Sequence, residues 1–62
     1  MKEKPTVKLI GKDGNAFYIL GKTITALRNA GMEVEAEQYK EKATSGDYNH
    51  LLATTMEYVN VV

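Results

Sequence analysis

The chain has 62 residues, no cysteine, one histidine, and eight basic against eight acidic side chains. This length allows one domain, residues 1–62 with a flexible tail at 1–5, and the composition excludes disulfides and argues against structural zinc. Zero net charge argues against non-specific nucleic-acid binding, which needs a surface rich in lysine and arginine.

The absence of cysteine is typical of a reducing compartment, and no apolar stretch is long enough for a signal peptide or a membrane span. We therefore expect a cytoplasmic protein with no membrane contact. The charges are unevenly distributed: residues 1–30 hold six basic and two acidic side chains, and residues 31–62 hold two and six. Such halves can attract each other within one fold or between subunits, although solvated charged faces explain the same count.

The first predicted element is a β-strand at residues 6–10. Apolar side chains alternate there with Lys8, which places Val7 and Leu9 on one face. Gly11 and the Asp13-Gly14 pair then end the strand.

From residue 15 the apolar period changes and predicts a helix that ends at residue 30. Gly31 follows it as a natural left-handed C-terminal residue. Gly21 lies inside the helix at a cost of about 1 kcal/mol relative to alanine, for which we expect a close helix crossing or a slight kink. The side chains predicted to be buried recur at steps of three and four residues, with two flanking them: Ala16, Leu20, Ile24 and Leu27, with Phe17 and Ile19.

Two shorter helices follow. The second spans about residues 33–43, with Met32, Ala36, Tyr39 and Ala43 on one stripe. The third begins after Asp47, a favourable N-cap residue. Its predicted buried stripe consists of Tyr48, Leu51, Leu52, Thr55 and Met56.

The last five residues, 58–62, are β-branched and alternating, and predict a second strand. The order β-α-α-α-β then predicts an α+β fold with three short helices packed on a two-stranded sheet, parallel if each helix reverses the chain direction. A two-stranded sheet and a 62-residue core are both marginal alone. We therefore expect a homodimer in which exposed strand edges extend the sheet.

Two glycine-containing turns, at residues 13–17 and 44–48, precede helices and are the best candidates for a binding surface. Helix starts present free N–H groups and a positive dipole end. Asp13 and Asp47 are better suited to capping these helices than to admitting a phosphate. A ligand at these starts would therefore have to contact Asn15, Ser45 or His50 beside the caps.

Metal binding and catalysis have weak support. Asp47 and His50 lie three residues apart on one side of a helix, but two ligands are too few, and we predict no metal and no cofactor. Ser45 has no evident base with an orienting acid, and we predict no catalytic residue. Residues 16–23 match a relaxed phosphate-loop pattern, which we reject because the four residues before Gly21 are apolar.

Tyrosine suits interfaces because it is rigid and has a polar tip. Tyr39 and Tyr48 fall on predicted core stripes, whereas we expect Tyr18 and Tyr58 at the surface. Lys22 lies one turn after Tyr18, so these two residues could form a patch on which a nucleic-acid base stacks. A dimer contact through the surface tyrosines is the alternative.

Residues 13–21 (DGNAFYILG) and 43–52 (ATSGDYNHLL) resemble a family of small uncharacterised proteins from bacteriophages, prophages and mobile elements. The resemblance covers nearly the whole chain. It implies a bacterial or phage setting and carries over no functional residue, because no activity is attached to the family.

In that setting we expect a non-enzymatic binding module that acts by stoichiometric binding of a host factor, either a protein or a small molecule. Two alternatives stay open: sequestration of a nucleotide-derived signal as counter-defence, and weak nucleic-acid binding by the basic N-terminal half. The candidate binding residues are Asp13, Asn15, Tyr18, Lys22, Ser45, Asp47 and His50.

Overall fold

The computed structural model describes residues 4–9 and 15–62. Three helices pack on a small two-stranded sheet, and this α+β architecture confirms the predicted order. The elements are β1 at Thr6–Val7, α1 at Ala16–Asn29, α2 at Glu33–Ala43, α3 at Tyr48–Tyr58 and β2 at Asn60–Val61.

The two strands pair in parallel, as predicted, with Thr6 opposite Asn60 and Val7 opposite Val61. The N–H of Val62 continues the ladder by donating to the carbonyl of Val7 at 3.0 Å. Val7 is buried, as is Leu9 just beyond the strand, so one side of β1 faces the core.

Both strands are shorter than predicted. Tyr58 belongs to α3, whose hydrogen bonding continues until the N–H of Val59 donates to Thr55. Lys4 and Pro5, from the predicted tail, accept hydrogen bonds from Asn60, whose backbone N–H lies 2.9 Å from the Pro5 carbonyl. Ile10 and residues 1–3 lie outside the described residues.

Helix α1 has well-defined ends. The Asn15 side chain accepts a hydrogen bond from the N–H of Tyr18 at 3.0 Å, which makes Asn15 the N-cap. At the other end Gly31 has φ of 77°, and the N–H of Met32 donates to the Leu27 carbonyl at 2.8 Å. This is a Schellman motif, which confirms the predicted left-handed glycine.

The buried stripe of α1 consists of Ile19, Thr23 and Leu27. Phe17 is 87% exposed, so its predicted burial is wrong. Residues two apart on an α-helix differ by about 200° around the axis, and a helix that buries Ile19 must expose Phe17. The rest of the predicted stripe is less buried than expected: Ala16 is exposed, and Leu20 and Ile24 are half-buried.

Gly21 is exposed, and no neighbouring atom lies within 4 Å of the place where a Cβ would be. The predicted close helix crossing at this glycine is therefore wrong.

Helix α2 buries Ala36, Tyr39 and Ala43, as predicted. The hydroxyl of Thr55, in α3, donates to the Leu51 carbonyl at 2.8 Å. The Tyr39 hydroxyl lies 2.7 Å from the same Thr55 oxygen and therefore donates to it. The Tyr58 ring packs edge-on against Tyr39 with centroids 5.6 Å apart, so Tyr58 is half-buried instead of lying at the surface.

Helix α3 is rotated relative to its predicted orientation. It buries Leu51, Thr54 and Thr55, whereas Met56 is 65% exposed, and the predicted burial of Met56 is wrong. Thr54 takes its place in the core because its hydroxyl donates to the His50 carbonyl at 2.8 Å, which satisfies the hydrogen-bonding requirement of a buried polar group.

No helix formed by residues 15–62 combines the length and the hydrophobicity that crossing a bilayer requires.

Candidate functional site

The starts of α1 and α3 line one groove with a volume of about 260 Å³. The two turn–helix starts singled out in the sequence therefore meet in the fold. We call this cleft the helix-start groove; its lining residues come from α1, from the end of α2 and from α3, and are Ala16, Phe17, Leu20, Ala43, Thr44, Gly46, Asp47, Tyr48 and Leu51.

The groove is mostly apolar. Ala43 and Leu51 are buried members of the core and form its base. Leu20 and Tyr48 are half-buried and pack against that core. Phe17 lies at the edge with nearly all of its ring in solvent. An apolar cleft with an exposed aromatic ring beside it has the composition of a protein-binding surface.

Among the described residues that line this groove, Asp47 is the charged one. Its carboxylate accepts a hydrogen bond from the N–H of His50 at 2.9 Å, which confirms its predicted role as the N-cap of α3. Capping uses one carboxylate oxygen and keeps the negative charge at the groove.

Ser45 and His50 connect the end of α2 to the start of α3. The Ser45 hydroxyl donates to the Lys42 carbonyl at 2.7 Å, and Nε2 of His50 lies 2.8 Å from the same oxygen. Because a carbonyl only accepts, Nε2 carries the hydrogen and donates it. Nε2 and the Ser45 oxygen are 3.2 Å apart. Both side chains, predicted as ligand contacts, therefore have structural partners.

Gly46 is required by this arrangement. A Cβ at position 46 would lie 2.8 Å from Cγ and 2.9 Å from Cβ of His50. Cγ is a ring atom and Cβ carries the ring, so neither can move away without displacing the ring. Glycine therefore lets His50 reach the end of α2.

Lys42 makes a further link, because its ammonium group lies 2.8 Å from the Glu57 carboxylate. The hydrogen bond and the opposite charge raise the pKa of Lys42 and lower the pKa of Glu57. Both side chains are about half-exposed, so solvent weakens this ion pair.

The candidates at the start of α1 have separate positions. Asn15 is the N-cap and is exposed; Tyr18 is half-buried. Asp13, which the sequence suggested as the cap, lies outside the described residues, and the capping role belongs to Asn15. Neither Asn15 nor Tyr18 lines the helix-start groove.

Lys22 lies in a second groove, between β1 and α1, with a volume of about 350 Å³. We call it the lysine groove, and its lining residues are Thr6, Val7, Lys8, Lys22, Thr25, Ala26 and Asn29. Lys22 is in the interior of α1, so the Gly21-Lys22-Thr23 sequence forms no phosphate loop.

Residues 4–9 and 15–62 bring together no group of three His, Cys, Asp or Glu side chains able to hold a metal ion. Asp47 and His50 meet only through the backbone N–H of the histidine.

Sequence reasoning missed Phe17, Leu20 and Tyr48 as groove residues by assigning them to the core. The helical period could have predicted the exposure of Phe17, because its side chain lies on the face of α1 opposite to the buried Ile19. Thr44 belongs to the second predicted turn, but no local pattern reveals the contribution of α2 through Ala43, because it depends on how the helices pack.

A scan against protein-family models and searches of curated proteins and of solved structures found no match for this chain.

Proposed function

We propose that this chain is a non-enzymatic binding module whose helix-start groove holds an apolar side chain of a protein partner. The observation that carries this proposal is the exposure of Phe17, 87%, beside an apolar groove. Covering an exposed phenylalanine ring with a partner removes apolar surface from water, which lowers the free energy of the complex. Aromatic side chains that insert next to pockets contribute much of the binding energy of protein interfaces.

The groove also indicates what the partner presents. A volume of about 260 Å³ suits one large side chain with its neighbours and is small for an enclosed substrate. Asp47 adds a negative charge to the apolar lining. A partner segment with an apolar residue next to a lysine or arginine therefore complements both properties.

The hydrogen bonds of Ser45 and His50 favour binding over catalysis. A serine nucleophile needs an imidazole nitrogen that accepts its proton. Here Nε2 of His50 donates to the Lys42 carbonyl, and the Ser45 hydroxyl donates to the same oxygen. The pair serves to hold α2 and α3 together.

The resemblance to phage and mobile-element proteins, which is an expectation from the sequence, favours a partner in a bacterial host. We therefore propose stoichiometric binding of a host protein. Affinity capture from host lysate tests this with three baits: the unchanged chain, Phe17→Ser, and the control Val34→Ser. Val34 is also apolar and 69% exposed, but it lies on α2 outside the groove.

We expect one protein to be retained by the unchanged chain and by Val34→Ser and to be lost with Phe17→Ser. A photo-crosslinker incorporated at position 17 should link to that protein, and the same group at position 34 should not. Equal capture by all three baits contradicts the assignment of the groove.

Self-association is a second proposal, and it rests on β2. Val61 and Val62 are 41% and 52% exposed. Pairing with β1 uses the N–H groups of Asn60 and Val62, which directs the peptide groups of Val61 to the side of the strand away from β1.

A second copy that pairs there would give a four-stranded sheet. Native mass spectrometry should detect a dimer of the unchanged chain and only monomer for Val61→Lys, because a charged side chain on an edge strand opposes pairing. A dimer that survives this substitution contradicts the strand-edge interface, and a monomeric unchanged chain ends the proposal.

A further inference from the structure

The lysine groove differs from the helix-start groove in its charge. Lys8, just after β1, and Lys22, on α1, both line it, and no acidic residue is among the described residues that do. Thr25 and Asn29 follow Lys22 at three and seven positions along α1, so all three side chains lie on one face of the helix. The groove therefore presents two cations next to a hydroxyl and an amide.

These two lysines are not neutralised within residues 4–9 and 15–62. The ion pairs of that part of the chain use Arg28, 3.9 Å from Glu37, and Lys42, 2.8 Å from Glu57. Lys8 and Lys22 line the same groove, so an anion bound there would be attracted by both positive charges.

The strand edge supplies further donors. The N–H of Leu9 and the carbonyl of Val7 bond to Val62, so these alternate residues face β2. In a parallel ladder the intervening residues, Thr6 and Lys8, then direct their backbone N–H groups away from β2, along the edge that belongs to the groove. Backbone N–H groups next to lysine are a common way to bind phosphate oxygens.

The groove also has an apolar part. Val7 is buried beneath it and Ala26 is half-buried. Its volume of about 350 Å³ falls within the usual range for sites that bind small molecules. A ligand that fits both the charged and the apolar part of the groove carries a phosphate group next to a flat group that is less polar than phosphate.

We infer that the lysine groove binds a small phosphate-bearing molecule of the nucleoside mono- or diphosphate class. A nucleic-acid strand fits less well, because the described part of the groove offers two cations while the whole chain has zero net charge. This inference does not depend on the proposed function, since the described lining residues of the two grooves do not overlap.

The test is a titration of the full chain with AMP, ADP and inorganic phosphate, followed by thermal unfolding and by backbone amide NMR. We expect the melting temperature to rise with ADP concentration, since a ligand that binds only the folded state stabilises it. Amide shifts should change at Lys8, Lys22, Thr25 and Asn29.

Three variants assign the site. Lys8→Gln and Lys22→Gln should each weaken ADP binding about tenfold, the usual effect of losing one charge-assisted hydrogen bond. Lys40→Gln is the matched control, because Lys40 is an exposed lysine on α2 outside the groove, and it should bind ADP as the unchanged chain does. Phe17→Ser should also bind normally, which separates this inference from the proposed function.

The inference is overturned by the absence of any thermal or NMR response at millimolar nucleotide. It is equally overturned if the response persists in both groove variants, or if the shifts map to the helix-start groove. If inorganic phosphate binds as tightly as ADP, the nucleoside contributes nothing to binding, and the assignment of a nucleoside phosphate is contradicted. Binding of single-stranded oligonucleotides that strengthens with length would identify a nucleic-acid surface instead.

Discussion

The first turns of α1 and α3 are each closed by a side-chain cap, Asn15 in one and Asp47 in the other. Their surroundings differ. At α3 the turn is attached to α2 through His50, which reaches the Lys42 carbonyl. At α1 the turn leaves Phe17 in solvent. Similar local sequences thus have different surroundings: the start of α3 holds the fold together, and the start of α1 leaves an aromatic ring exposed.

The largest effect is expected when one apolar side chain is shortened in each of the two turns. Leu51→Ala should destabilise the fold by about 2–5 kcal/mol, because Leu51 is buried and its loss leaves a cavity. Phe17→Ala should change the free energy of unfolding by less than about 0.5 kcal/mol, as is usual for an exposed side chain. Urea denaturation followed by circular dichroism measures both values.

Leu51→Ala can exceed the total stability of so small a domain. Leu51→Met then serves as the milder variant and should cost less than about 1.5 kcal/mol. A loss for Phe17→Ala as large as that for Leu51→Ala contradicts the proposed difference between the two turns.

Two glycines give the second test, with effects of opposite sign. Gly46→Ala should destabilise the fold by about 1–3 kcal/mol, because the added methyl group overlaps Cβ and Cγ of His50. Gly21→Ala should stabilise it by up to about 1 kcal/mol, because Gly21 lies in the interior of α1 with open space beside it. Thermal unfolding of both variants provides the comparison.

A stabilising Gly46→Ala would mean that the ring of His50 moves away at little cost. In the NMR spectrum of this variant we expect changed shifts at His50 and at the end of α2, which no effect of backbone entropy alone would produce.

The caps give a smaller effect. Asp47→Ala should cost about 1 kcal/mol, the typical value for a lost N-cap. Asn15→Ala should cost less, about 0.5 kcal/mol, because the exposed first turn of α1 can fray without disturbing the core. Asp47→Asn retains an oxygen acceptor and should stay within a few tenths of a kcal/mol of the unchanged chain. Equal losses of unfolding free energy for Asp47→Ala and Asn15→Ala would indicate that the two helix starts contribute equally to the stability of the fold.

The smallest effect concerns pH. The pKa of Glu57 lies below its ordinary value of 4.5 because of Lys42, so the folded state binds protons less readily than the unfolded state. The stabilisation is therefore complete above pH 4.5 and is lost as pH falls through the lowered pKa. Glu57→Gln should be slightly less stable than the unchanged chain at pH 7 and equal to it at a pH well below the lowered pKa.

Urea midpoints at both pH values measure this difference, and 1 M salt should reduce it because the pair is exposed. A difference between the two chains that grows toward low pH contradicts the assigned sign.

Much of the fold could be predicted from local patterns. The three helices, the cap at Asp47 and the positive φ of Gly31 follow from residue chemistry within a few positions. Burial was less predictable. Thr23 and Thr54 are in the core although the sequence pattern favours apolar residues there, because their positions depend on how each helix is rotated against the others.

The candidate site was predictable only in outline. The sequence singled out the two turn–helix starts without indicating whether they meet, and Ser45 and His50 beside them are used by the fold itself. Phe17 was assigned to the core, although the helical period alone places it opposite Ile19. The lysine groove needs β1 to lie beside α1, and Lys8 and Lys22 are too far apart in sequence for any local rule to join them.

The sequence by itself determined the number, order and approximate limits of the helices, because periodicity, capping and glycine conformation act over a few residues. It also determined the absence of disulfides and the zero net charge. Only the tertiary structure decided which apolar side chains remain in solvent and which distant residues line a common groove. Those properties depend on the rotation and packing of whole helices, and a change of one residue step in rotation turns a side chain by about 100°.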